Sequence, residues 1–230
     1  MADSYKYLDV LTNLFYPQYC AGCSRRASDV LCGGCFEALP FVGRPFCRRC
    51  GAPTAFEVYS CGECSSRDFG FDGARAPLRY EGAGKELVHA LKYKGYAPLV
   101  EKVMAPLMAN LLDGNHRFEL VVPVPLHRAR LAKRGFNQAE LMARGVAERI
   151  NAPVLDKLKV VRRTRDQVEL SSEARRTNVA GAYASKGPVA GRILLVDDVF
   201  TTGATLSECA EALRKAGAGE VQALTLCRTV

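Results

Sequence analysis

The stretch LLVDDVFTTGATL, residues 194–206, decides how this chain is read. With Ile193 it opens on a short apolar run ending at Val196, the pattern of a strand buried on both faces. Two carboxylates, Asp197 and Asp198, follow at once. After Val199 and Phe200 come Thr201, Thr202, Gly203, Ala204 and Thr205. These run into a helical pattern predicted over 205–217, with Leu206, Cys209, Ala210 and Leu213 on its core face. Thr205 and Glu208 have the spacing of a capping box, and Gly217 supplies the stop. Hydroxyls, turn N–H groups and the positive end of a helix together favour a dianionic phosphate. Gly203 lets the backbone approach that phosphate without an intervening Cβ. A carboxylate only accepts hydrogen bonds, so the acidic pair suits the diol of a ribose. The competing readings are a surface turn or a Mg²⁺-binding acidic pair, and neither calls for a threonine- and glycine-rich anion turn directly afterwards.

Outward from this loop, strand and helix patterns alternate. Strands are expected at ARAPLRYEG (74–82), ELVVPVP (119–125), ILLV (193–196) and VQALTL (221–226). Helices are expected at 85–95, 98–114 and 137–150, the last opening on Asn137 and Glu140, a second capping-box spacing. Apolar strands alternating with helices imply a parallel sheet covered on both sides, with ligands bound beyond the carboxyl ends of the strands. The predicted organisation is an α/β domain over 71–230 and a small cysteine-rich module over 1–70.

That module holds eight of the ten cysteines, as four C-x-x-C pairs: Cys20/Cys23, Cys32/Cys35, Cys47/Cys50 and Cys61/Cys64. Each pair places two thiolates on one side of a tight knuckle, and two knuckles complete a tetrahedral S₄ shell. Two structural zinc ions are therefore expected. Sequential sites (20/23/32/35 and 47/50/61/64) are the simpler pairing, and an interleaved arrangement stays open. A single zinc, disulfides or an iron–sulfur cluster are the alternatives. Cys209 and Cys227 sit in apolar patterns and read as core residues. With few apolar residues of its own, the module draws its stability from metal.

The formal net charge is +8 and the pI near 9.0, a prior for an anionic partner. No apolar run reaches the ~20 residues a membrane span needs. The N-terminal twenty residues carry Asp3 and Asp9 and lack the layout of a signal peptide; Leu8, Leu11 and Phe15 recur at helical spacing. The expected compartment is the cytoplasm, including a peripheral position at the inner face of the membrane. PLHRARLAKRGFNQ places Arg128, Arg130, Lys133 and Arg134, with His127, in a basic loop before the next helix, suited to a pyrophosphate. RRTRDQVELSSEARRTN carries Arg162, Arg163, Arg165, Arg175 and Arg176 without a helix-long apolar period. Lys92, Tyr93 and Lys94 form a basic–aromatic cluster of the kind found in single-strand grooves and also at ordinary helix ends.

The loop resembles the signature of the type I phosphoribosyltransferases, and the whole chain resembles the ComF (ComFC-like) family. The matching stretches are ALKYKG (90–95), VPVPLHRARLAKRGFNQAEL (122–141) and RRTRDQVELSSEARRTNVAGAY (162–183). The resemblance implies a Rossmann-like phosphoribosyltransferase domain behind a double zinc ribbon. It assigns Asp197 and Asp198 to the ribose of phosphoribosyl pyrophosphate and Thr201 to Thr205 to its 5-phosphate, with Mg²⁺ accompanying the pyrophosphate. Arg128, Arg130, Lys133 and Arg134 become the pyrophosphate-side loop. The arginines of 162–176, with Lys92 and Lys94, become a mobile closing loop or a DNA contact. It further implies a role in DNA uptake, with single-stranded DNA and a competence helicase or other uptake protein as partners. Catalysis is left open: the alternative is an active phosphoribosyltransferase of nucleobase or nucleotide metabolism with no DNA role, and no residue stands out as a general base.

Overall fold

The computed structural model describes residues 18–94, 96–112, 117–162 and 179–230. The helical spacing at Leu8, Leu11 and Phe15, the side chain of Lys94, and Arg163, Arg165, Arg175 and Arg176 lie outside them.

Each cysteine quartet is followed along the same plan. In both, the first cysteine of the second pair caps a one-turn helix: Cys32 precedes α1 (Gly33–Glu37) and Cys61 precedes α2 (Gly62–Ser65). The chain then enters the sheet through β1 (Gly73–Arg75) and β2 (Leu78–Arg79), so the strand expected over 74–82 is broken at Pro77, which has no N–H to donate. Helix α3 (Gly82–Lys94) starts three residues earlier than its sequence signals suggested. A second helical segment, α4 (97–109), is α-helical at Ala97–Leu99 and Ala105–Ala109 but π-helical at Val100–Met104. Pro106 cannot donate to the carbonyl one turn back, and the widened turn, closed by Ala105 N–H on the Val100 carbonyl, absorbs the mismatch.

Strand β3 (Leu120–Pro123) is followed by α5 (Arg128–Arg134) and α6 (Gln138–Ile150). The basic loop expected before α6 is thus a helix. His127 caps it, its Nδ1 accepting from the Ala129 N–H at 3.2 Å, and Gly135 ends it in the left-handed region at φ 79°. Arg, Ala, Leu and Lys are all good helix formers, and their charge says nothing against a helix. Asn137 caps α6 as expected, accepting from the Ala139 N–H. Glu140 pairs with Arg144 at 2.7 Å one turn on.

A two-stranded antiparallel ribbon, β4 (Leu158–Val160) and β5 (Tyr183–Ser185), was not anticipated. It is followed by β6 (Arg192–Phe200), α7 (Ala204–Lys215) and β7 (Glu220–Arg228). The predicted Thr205–Glu208 capping box does not form. The helix begins one residue earlier, with Gly203 at its N-cap, and the Glu208 carboxylate accepts instead from the Gly181 N–H at 2.7 Å.

The sheet runs β1–β7–β6–β3, with β2 also on β7, and every pairing is parallel. Successive residues of β6 feed opposite faces, as a strand's period of two requires. Leu194 and Val196 join Val121, Met104, Met142 and Leu87 in one apolar layer. Ile193 and Leu195 join Val122, Leu206, Leu213 and Val221 in the other. This is why the run reads as uniformly apolar. The cysteine module shares both layers: Cys20, Val30 and Leu31 lie in the first, and Cys47, Cys50, Phe69 and Phe71 in the second. Metal is therefore not its sole support. Its second half also bonds to the sheet edge, the Ala74 N–H donating to the Arg49 carbonyl at 2.7 Å.

Candidate functional site

Beyond the carboxyl ends of β3 and β6 opens a cavity of about 910 Å³. Its floor is the end of β6. Asp197, Asp198, Thr201, Gly203, Ala204 and Thr205 all line it, so the acidic pair and the first turn of α7 face the same space. Thr202 is buried behind the turn, its hydroxyl accepting weakly from the Ala204 N–H at 3.4 Å. The N–H groups of a helix's first turn have no partner inside the helix and project from its end. The start of α7 therefore presents donors to the cavity.

The wall opposite carries cations. Arg130, Lys133 and Arg134 of α5 line the cavity, whereas Arg128 is exposed outside it. Arg162 is also outside, its guanidinium donating to the Ala180 carbonyl at 2.6 Å. Lys92 enters from α3, and its ammonium lies 2.6 Å from Asp198 Oδ2. Gln138 donates to the same carboxylate oxygen at 3.3 Å and accepts from Arg134 at 3.0 Å. Lys92 was grouped by sequence with mobile-loop or DNA contacts; in the fold its ammonium instead meets Asp198. The roles of Gln138, Tyr80 and Tyr183 in shaping the cavity had no motif to announce them.

These contacts set the ionisation of the floor. Burial, and then the charge of Asp198, push the Asp197 carboxyl up to about 8. Burial works against the charge on Lys92, but attraction to Asp198 outweighs it and holds the ammonium above its usual range. Burial likewise raises the Tyr183 hydroxyl, which hydrogen-bonds with Thr205 at the cavity wall. Two carboxyl groups thus face four cations and a helix start, leaving an excess of positive charge at the cavity wall.

The turn itself rests on rings. Gly203 has φ 75°, and a Cβ there would lie 2.8 Å from Phe200 Cζ and 2.8 Å from Phe69 Cε1. Phe69 stacks on Phe71 at 4.7 Å, and both meet Phe200 edge-on. The buried Arg228 guanidinium lies 5.1 Å from the Phe200 ring and donates to the carbonyl of Cys50. One cysteine quartet is therefore tied to the floor of the cavity through a cation and three rings.

Both quartets are assembled sequentially, Cys20/Cys23/Cys32/Cys35 and Cys47/Cys50/Cys61/Cys64. All ten cysteines are free thiols, which sets aside the disulfide alternative. Sulfur separations of 3.9 Å (Cys23–Cys32), 3.8 Å (Cys47–Cys64) and 3.7 Å (Cys50–Cys61) fit a tetrahedron. Its edge is ~3.8 Å when each thiolate sits ~2.3 Å from zinc. Backbone N–H groups of Gly22 and Cys32 point at Cys20 Sγ, and that of Cys61 at Cys47 Sγ. Burial resists ionisation of Cys47, but the N–H groups of Cys50, Cys61 and Arg49 prevail and bring it down to about 7. The Arg25 side chain does most to bring Cys23 down to about 6. Burial pushes Cys35 up to about 12 in the first quartet and raises Cys50 and Cys64 in the second, and Cys227, which belongs to neither quartet, is also pushed up by burial to about 12.

A model of the phosphoribosyl transferase domain matches residues 131–229, and one of the double zinc ribbon domain matches 11–65. Competence protein F of Haemophilus influenzae is 30% identical over 220 residues, covering 91% of this chain and 95% of that protein. The chain belongs to the ComF family. Two further relatives span it almost as fully. DNA utilization protein YhgH of Salmonella typhimurium is 32% identical over 191 residues, 80% of this chain and 84% of that one. Competence protein ComFC of Streptococcus pneumoniae is 29% identical over 205 residues, 89% and 90% respectively. Family membership makes the parallel sheet a phosphoribosyltransferase fold and the cysteine quartets two zinc-ribbon sites.

Elemental analysis of the purified protein is expected to find about two zinc ions per chain, falling by one in a Cys50→Ser, Cys64→Ser variant; an unchanged zinc content would refute that quartet as a ligand set. The ring contacts predict a second difference. Gly203→Ala should cost roughly 2–4 kcal/mol, from left-handed strain plus displaced rings, and lower the thermal midpoint by about 5–10 °C. Gly135→Ala shares the positive φ but has open space at its Cβ, so calorimetry should find it clearly milder; equal losses would dismiss the ring contacts.

Proposed function

We propose that the cavity binds phosphoribosyl pyrophosphate with Mg²⁺, and that the protein acts in DNA uptake by handling single-stranded DNA. One observation carries the first half: Asp197 and Asp198 share a single cavity with the left-handed Gly203 turn and the start of α7. A ribose 5-phosphate needs that combination, diol acceptors a few residues from an array of N–H donors. Asp198 is held in place by Lys92 and Gln138. Asp197, pushed up to about 8 by burial and the charge of Asp198, is a carboxyl that a nearby cation would bring to its ionised form. Arg130, Lys133 and Arg134 supply the charge a pyrophosphate requires, Arg in a bidentate manner.

Mg²⁺ would enter with the pyrophosphate and offset its charge. Among the described residues the acidic oxygen donors lining the cavity are those of Asp197 and Asp198; they would serve the ion as the Asp197 carboxyl ionises beside it and through the Asp198 oxygen that Lys92 does not hold. The second half rests on the relatives, whose names tie them to competence and DNA utilization, and on the net charge of +8. A helicase or another protein of DNA uptake is the partner class such a role calls for, met on the cytoplasmic side of the membrane.

Replacing both carboxylates (Asp197→Asn with Asp198→Asn) should weaken binding of phosphoribosyl pyrophosphate by at least about 100-fold, since hydrogen bonds to charged groups contribute ~1.5–3 kcal/mol each. Titration calorimetry on a variant whose circular dichroism is unchanged decides it; retained affinity removes the assignment. For DNA, anisotropy of a labelled oligonucleotide should weaken steeply with salt, with a log–log slope of about −0.7 per phosphate contacted. No binding at low salt ends that part of the proposal.

A further inference from the structure

We propose that Tyr93, at the mouth of the cavity, is a stacking platform for a nucleobase. The ring lines the cavity, yet it is 73% exposed. Its sequence neighbour Lys92 reaches the carboxylates of the floor while Tyr93 stays at the rim. An exposed aromatic ring normally wanders among rotamers. This one is held without being covered. His89, one helical turn back, meets it edge-on at 5.8 Å and 88°, and the Tyr80 hydroxyl lies 3.5 Å from His89 Nε2 on the other side. The Arg134 guanidinium stands over one face at 6.0 Å and is itself fixed by Gln138, which also bonds Asp198. A continuous chain of contacts thus runs from the carboxylate of Asp198 through Gln138 and Arg134 to the rim ring, most of whose surface stays exposed.

A nucleobase is the group this arrangement fits. It is joined to, or reacts at, the ribose that the floor is shaped to hold. It is flat, and stacking on an aromatic face beside an arginine suits every base without reading its sequence. The cavity, at about 910 Å³, lies near the top of the range of about 300–1,000 Å³ for small-molecule sites, so it admits more than a sugar phosphate. The inference rests on reading the floor as a ribose 5-phosphate site. The base can come from two sources, a free base or nucleotide on one hand and the end of a DNA strand on the other; both present the same ring.

The chain contains no tryptophan, so Tyr93→Trp creates a single fluorescent reporter at the rim. Its emission should be quenched by AMP, and by a short 5′-phosphorylated oligothymidylate if DNA is the source, but not by ribose 5-phosphate or phosphoribosyl pyrophosphate alone. Quenching by free adenine only when phosphoribosyl pyrophosphate is present would mark the base as an acceptor. In calorimetry, Tyr93→Ala should lose about tenfold more affinity for AMP than for ribose 5-phosphate, and Tyr93→Phe should restore it. Phosphoribosyl pyrophosphate binding without quenching by any base-bearing ligand overturns the platform. Quenching by AMP in a protein that fails to bind phosphoribosyl pyrophosphate upholds the platform and overturns the ribose 5-phosphate reading instead. Silence toward every ligand overturns both.

Discussion

Asp198 and Lys92 face each other at 2.6 Å in a largely desolvated space. Two charges so placed cost several kcal/mol each to dehydrate, and their attraction repays this only when hydrogen bonds complete the pair. Gln138 supplies one such bond, and burial beside the Asp198 charge holds the neighbouring Asp197 carboxyl above its usual range. The floor of the cavity is consequently built as a unit. Moving any one of these groups leaves another buried and uncompensated, so the geometry of the carboxylates is fixed before a ligand arrives. Preorganisation of this kind spares a ligand the cost of ordering the site.

The same unit is braced from below. Gly203 can adopt its left-handed turn only because no side chain stands between it and the rings of Phe69 and Phe200. Phe200 meets the Arg228 guanidinium, itself bonded to the Cys50 carbonyl, and Phe69 is held by its ring contacts with Phe71 and Phe200. The zinc-ribbon half of the family architecture is thereby continuous with the phosphoribosyltransferase half. Its thiolates sit at the far end of a packed path that begins at the anion turn.

Much of this was legible in the sequence. Strands β3, β6 and β7 announce themselves as apolar runs because both faces of a parallel sheet are covered, and the four C-x-x-C pairs point to metal by their spacing, though which pairs share a site is settled only by the fold. The acidic pair and the threonine-rich turn are contiguous, so the site's floor could be read from one stretch. What escaped depends on partners distant in the chain. Helix α5 hid behind its charge, since positive residues suggest a loop to the eye yet favour helix in fact. The β4–β5 ribbon joins short segments with no alternation to mark them. Lys92 shows its role only when α3 is placed against β6, and Arg228 only when β7 is placed against Cys50. The rim position of Tyr93 is likewise a product of packing.

The order of strands carries one more consequence. Neither β1 nor β3 pairs with the other; within the sheet each pairs with β7 or β6, strands that come later in the chain than both. During synthesis β1 and β3 emerge before the strands that complete their pairing in the sheet. The cysteine quartets close over short local loops and need no such delay. Metal capture at the N-terminal end can thus precede, and give an anchor for, a sheet whose two central members arrive last.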